Sequence, residues 1–123
     1  MKVLLSIKPE YAEKIFDGEK RFEFRRSIFK NPDITHIVVY ASSPTQKVIG
    51  EFEIIDIVHE NISILWDITR KYSGISKENF FNYFSDKKKG YAIQIGNITE
   101  YDQPLSLRDE FGLSPPQSFI YLS

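Results

Sequence analysis

Within the run Lys47–His59 the apolar residues change sides. Val48, Gly50, Phe52 and Ile54 share one parity, whereas Ile55 and Ile57 share the other. Successive strand residues point to opposite faces, so a regular strand keeps its buried residues on one parity. The switch predicts a bulge or sharp bend of the kind that turns the corner of a barrel. Gly50 offers further freedom to bend.

The surrounding pattern is rich in strands. Val3–Ile7 predicts a short buried strand, and Pro9 suits the first turn of a helix, where its missing N–H is not needed. Tyr11, Ala12, Ile15 and Phe16 make the apolar face of that helix, and Gly18 is the expected left-handed residue after it. From Lys20 to Arg26 the chain alternates, with Phe22 and Phe24 on one side and Arg21, Glu23 and Arg25 on the other. Ile37–Ala41 is apolar on both faces, as a central strand is, and Ser42-Ser43-Pro44 ends it.

Two helices follow. The first takes Leu65, Ile68 and Tyr72 as its face, with Trp66 beside it, and ends at Gly74. The second has a Ser76 cap and a face of Phe80, Phe81 and Phe84. Gly90–Ile98 alternates again, a loop spans Pro104–Gly112, and Ser118–Leu122 predicts a final strand. This order lacks regular strand–helix alternation and predicts an α+β fold built on a small bent sheet or barrel.

Composition sets the frame. A chain of 123 residues with ten Phe, seven Tyr and one Trp fits a single domain, residues 1–123, with its own core. It has no cysteine, which excludes disulfides, thiolate metal sites and a cysteine nucleophile. The apolar run Val3-Leu4-Leu5 is far short of a secretory core, and no stretch approaches a membrane span, so a cytoplasmic protein without membrane contact is expected. Oligomeric state is left open.

The net charge of -1 excludes coating of nucleic acid by bulk charge, but the charge is uneven. Residues 1–30 hold eight Lys+Arg and five Asp+Glu, a local charge of +3, against -4 in the remainder. Gly18–Arg26 is the densest segment. Glu23 and Arg25 lie on one strand face about 6–7 Å apart. Such a pair is either a solvated face or a cleft pair that tunes a nearby lysine. Lys87-Lys88-Lys89 reads first as a solvated loop and second as a phosphate contact. Ser42 and Ser43 either line a pocket or cap their turn. His36 and His59 lack metal-ligand spacing, and no cofactor motif is present, so neither metal nor cofactor is expected.

The run Leu5-Ser6-Ile7-Lys8-Pro9, a short helix and then Gly18-x-Lys20-x-x-Glu23-x-Arg25 resembles the ASCH domain, a PUA-like family. Tyr40-Ala41-Ser42-Ser43-Pro44, Val48-Ile49-Gly50-Glu51-Phe52, Tyr91-Ala92-Ile93 and Pro115-Pro116-Gln117-Ser118-Phe119 extend the resemblance over nearly the whole chain. It implies a small β-barrel of five or six strands with flanking helices. It also implies a cleft between the first helix, the next strand and the loop after the central strand.

The resemblance further implies binding of RNA or a nucleotide-like ligand, with Lys8, Lys20, Glu23, Arg25, Ser42 and Ser43 as contacts. Some relatives are ribonucleases, and others are amidohydrolases that deacetylate a modified cytidine. Lys20 matches the lysine that activates the amidohydrolase nucleophile. The threonine expected three residues later is Glu23 here, so a hydroxyl would have to come from Ser6, Ser42 or Ser43. The alternative to a binding module is therefore a hydrolase with Lys20 and Glu23 as its acid/base pair. A third reading is a protein-interaction module exposing Trp66, Phe80 and Phe84 on the helix pair.

Overall fold

The structure, a computed structural model, describes residues 1–122. Six strands form one sheet: β1 (Lys2–Ile7), β2 (Phe22–Arg25), β3 (His36–Ala41), β4 (Lys47–Asn61), β5 (Lys89–Leu105) and β6 (Phe119–Leu122). Their order is β2-β5-β4-β3-β1-β6. β1 and β3 are parallel, and the other neighbours are antiparallel. Four helices complete the α+β fold: α1 (Pro9–Phe16), α2 (Ile62–Thr69), α3 (Lys77–Tyr83) and α4 (Leu107–Phe111). Among the described residues, no helix is long and apolar enough to cross a membrane.

The phase switch in β4 is real. Its pairing with β5 slips between Val48 and Gly50, between Phe52 and Ile54, and again between Ile54 and Asp56. Each slip adds twist and bends the strand. The chain needs Gly50 there, because a Cβ would lie 2.5 Å from the Thr99 carbonyl and 2.7 Å from the Phe16 ring. The curl stops short of closure, however. β2 and β6 are the two edges and do not pair with each other, so the expected barrel is an open, curled sheet.

The sheet is covered on both faces. Val3, Leu5, Ile7, Ile37, Val39, Phe52 and Ile93 pack with Ala12 and Ile15 of α1 on one face. On the other, α2 and α3 seat Ile62, Leu65, Phe80 and Phe84 against Phe24 and Ala92, and α4 seats Leu107 against Leu4, Val38 and Val48. The Ser76 cap is present and accepts from the Asn79 N–H.

Four details depart from the sequence expectation. The buried face of α2 is Ile62, Leu65 and Thr69, while Ile68 and Tyr72 are 53% and 41% exposed. The helix starts early, on an Asn61 cap, and tightens into a 3₁₀ turn at Arg70–Tyr72, so the helical phase does not reach Tyr72. Tyr72 instead lies under the Arg21 guanidinium, 4.7 Å from it. β5 runs on to Leu105, and the expected loop after it contains α4, closed by Gly112 at φ 65. Phe80 and Phe84 are fully buried and Trp66 is half-buried against Phe80, so these three do not form the exposed patch expected of an interaction module.

Candidate functional site

A cleft of about 590 Å³ lies along the seam where the sheet fails to close. One wall is the edge strand β2, with Glu23, Phe24 and Arg25. The facing wall is Ser6 and Ile7 of β1, with Gln117. These two β1 residues have no β6 partner, because β6 pairs with Lys2 to Leu5. Lys8, Glu10 and Tyr11 from the start of α1 close one end, and Ile75, Asn79, Asn82 and Tyr83 of the α3 region close the other.

Lys20 is the best-defined group in the cleft. Only 2% of it is exposed. Its Nζ donates to the Ser73 carbonyl and lies 4.7 Å from the Phe24 ring centroid and 5.2 Å from that of Tyr11. The two ring faces partly replace lost hydration. The stem is clamped as well: Gly74, at φ 63, passes so close that a Cβ there would lie 2.5 Å from the Lys20 Cβ. Burial drives the Lys20 pKa down to about 8, the nearby Glu23 pulls it back up, and Lys14 adds to the fall.

Glu23 is 6% exposed. Burial raises its pKa, and the positive charges of Lys20 and Arg25 only partly offset that. Arg25 Nη1 lies 3.4 Å from Glu23 Oε2. The same guanidinium crosses the seam and donates to the Ser6 carbonyl at 3.3 Å and the Ser118 carbonyl at 3.2 Å. One planar cation thus holds β2 to the opposite edge region.

The structure brings Lys8, Lys20, Glu23 and Arg25 to one cleft, with Lys8 exposed at its mouth. It does not bring Ser42 or Ser43 there. Both build the turn after β3: the Ser42 N–H donates to the Ile7 carbonyl, the Ser42 carbonyl accepts from Thr45, and the Ser43 hydroxyl accepts from Gln46. Ser6 does line the cleft, with its hydroxyl donated to the Pro116 carbonyl.

The cleft residues that the sequence did not mark as candidates include Glu10, Tyr11, Asn79, Asn82, Tyr83 and Gln117. Asn79, Asn82 and Tyr83 follow the i, i+3, i+4 spacing of one helix face. Tyr11 was counted as core, yet its ring backs Lys20. Burial, then Glu10, push its phenol above the usual value; the Asn79 side chain opposes this, and Glu23 adds a little.

A curled six-stranded sheet with a helix-walled cleft at its open seam defines a PUA-like domain. Residues 1–113 match the family model described as Domain of unknown function (DUF365). The chain belongs to that family and, within the PUA-like fold, to the ASCH domain family. It is 30% identical over 124 residues to the ASCH domain-containing ribonuclease of Zymomonas mobilis, covering 97% of this chain and 82% of that one. The crystal structure of ASCH from Zymomonas mobilis superposes with a TM-score of 0.90 at 28% identity, covering 99% of this chain and 87% of that one. Over 121 residues, 98% of this chain, it is 31% identical to ATP synthase subunit alpha and large ribosomal subunit protein uL22 of Ureaplasma parvum. It spans only 15% and 39% of the length of those two proteins.

Proposed function

We propose that the seam cleft binds RNA, with one nucleotide between β2, α1 and α3. The carrying observation is the buried Lys20 ammonium, held between two aromatic rings in a cleft whose walls also carry side-chain amides. Asn79, Asn82 and Gln117 each offer a donor and an acceptor, as base edges require. Glu23 accepts hydrogen bonds from base or ribose, and Lys8 meets phosphate at the mouth. Arg25 contributes a face of its guanidinium while its N–H groups hold the seam. The similarity to a protein named as a ribonuclease supports RNA as the ligand class.

The test is a fluorescence-anisotropy titration with short single-stranded RNA at several salt concentrations. Lys20→Ala should weaken binding to all sequences and reduce the salt slope by just under one. Unchanged affinity and slope in that variant would overturn the reading.

A second reading adds cleavage, favoured by the Lys20 pKa of about 8. A neutral amine, about a fifth of the population near pH 7.4, can take the proton of a ribose 2′-hydroxyl. The freed oxygen then attacks phosphorus and displaces the 5′-oxygen, which takes a proton from the carboxyl form of Glu23, the form that burial favours and the charges of Lys20 and Arg25 oppose. Product formation from a short RNA, abolished in Lys20→Ala and at least tenfold slower in Glu23→Gln, supports this step. Activity equal in wild type and both variants excludes it.

A further inference from the structure

A second concavity, of about 400 Å³, lies beside the cleft and is lined by Arg26, Lys30, Lys87, Lys88 and Lys89, with no carboxylate in its lining. Its floor carries His59 and Tyr91, cross-strand partners on β4 and β5. Their rings stack at 4.1 Å with an interplanar angle of 8°. His59 is exposed, so the pair presents a flat aromatic surface among cations.

The two concavities share a wall. Arg25 of the cleft and Tyr91 of the groove are paired directly across β2 and β5, so their side chains lie on one sheet face. Arg26, the next residue, donates to the Tyr83 carbonyl at 2.8 Å and the Ser85 carbonyl at 2.9 Å. This fixes the groove wall to the α3 end that closes the cleft.

We propose that this groove is a second RNA subsite, carrying the single strand that leaves the cleft. The ligand is then an oligonucleotide of several residues rather than a free nucleoside. The inference rests on the reading of the cleft as an RNA site and names the substrate class for it. Lysine ammonium groups contact phosphates without sequence preference, and a flat ring pair accepts any base by stacking. A stacking surface and concave shape favour a nucleic acid over a lipid surface, which offers no bases to stack.

The experiment titrates the full chain with a labelled single-stranded RNA decamer, with a dinucleotide, and with phosphatidylserine vesicles. It compares wild type with the triple variant Lys87→Gln, Lys88→Gln, Lys89→Gln and with Lys20→Ala. The triple variant should lose roughly tenfold or more in decamer affinity and about two from the salt slope, while keeping dinucleotide binding within twofold. Retained dinucleotide binding also shows that the variant is folded. Lys20→Ala should weaken both RNAs. Unchanged decamer affinity and slope in the triple variant overturns the groove but leaves the cleft reading intact if Lys20→Ala still weakens binding. Decamer binding that responds to the triple variant but not to Lys20→Ala overturns the cleft reading and the continuous path with it. Vesicle binding lost in the triple variant, with decamer binding unchanged, reassigns the lysines to a membrane surface. A wild type that binds no RNA sinks both.

Discussion

The guanidinium of Arg25 donates to the carbonyl of Ser6 at 3.3 Å, across the gap between β2 and β1. It also lies against the buried Glu23 carboxylate at 3.4 Å. Arg25→Ala therefore frees the seam and strands a buried charge, and should cost about 3 kcal/mol. The double variant Glu23→Gln, Arg25→Met removes the charge problem and should recover most of that loss. Urea unfolding of wild type and the two variants measures both numbers. A double variant as unstable as Arg25→Ala would refute the role assigned to the pair.

Lys20 should make stability rise in alkali. Its folded pKa, about 8, lies below the ordinary 10.5. Well below pH 8 both states carry the proton and the contribution is flat. Between about pH 8 and 10.5 the unfolded state binds more protons, so stability increases with pH; it is lost again as pH falls through 8. The full span is roughly 3 kcal/mol, taken as the difference between wild type and Lys20→Met. A flat difference curve from pH 7 to 10.5 would contradict it. Glu23 runs the other way: its raised pKa gives stability at acid pH that is lost as pH rises through the folded value.

Gly74 and Gly18 separate backbone strain from site geometry. Both have positive φ, 63 and 86, but a Cβ at Gly18 meets nothing within 4 Å, whereas at Gly74 it collides with the Lys20 stem. Gly18→Ala should cost about 1 kcal/mol and leave RNA binding intact. Gly74→Ala should cost about 2–3 kcal/mol and also weaken binding, although residue 74 touches no ligand. Thermal unfolding with anisotropy titration resolves the two; equal effects would show that Lys20 is not clamped as described.

Ser42→Ala and Ser43→Ala should each leave RNA affinity within twofold of wild type, since both residues sit in the turn after β3 and neither lines the cleft. A tenfold loss in either would return that turn to the site.

The segment carrying Lys20, Glu23 and Arg25 was legible because the alternation of Phe22 and Phe24 with charges is a local pattern. The α3 wall was not. Asn79, Asn82 and Tyr83 look like any solvated helix face until Phe80 and Phe84 dock against Phe24 and turn that face over the edge of β2. Tyr72 was misplaced on the face of α2 because the chain after Thr69 winds as a 3₁₀ turn, which shifts the phase. Bending of β4 showed in its parity, but parity says nothing about how far a sheet curls. The gap between β2 and β6 depends on the whole arrangement, and the site lies in that gap.

The bond from Lys20 to the Ser73 carbonyl joins residues 53 positions apart. The motif around Lys20 is written in eight consecutive residues, Gly18 to Arg25, yet the segment by itself holds a lysine of ordinary basicity. Its altered proton affinity begins only when the segment beyond α2 has folded back and excluded water. Closing a loop of that length is slow relative to forming a local helix. The lowered proton affinity of Lys20 is therefore a property of the folded chain and not of the motif alone.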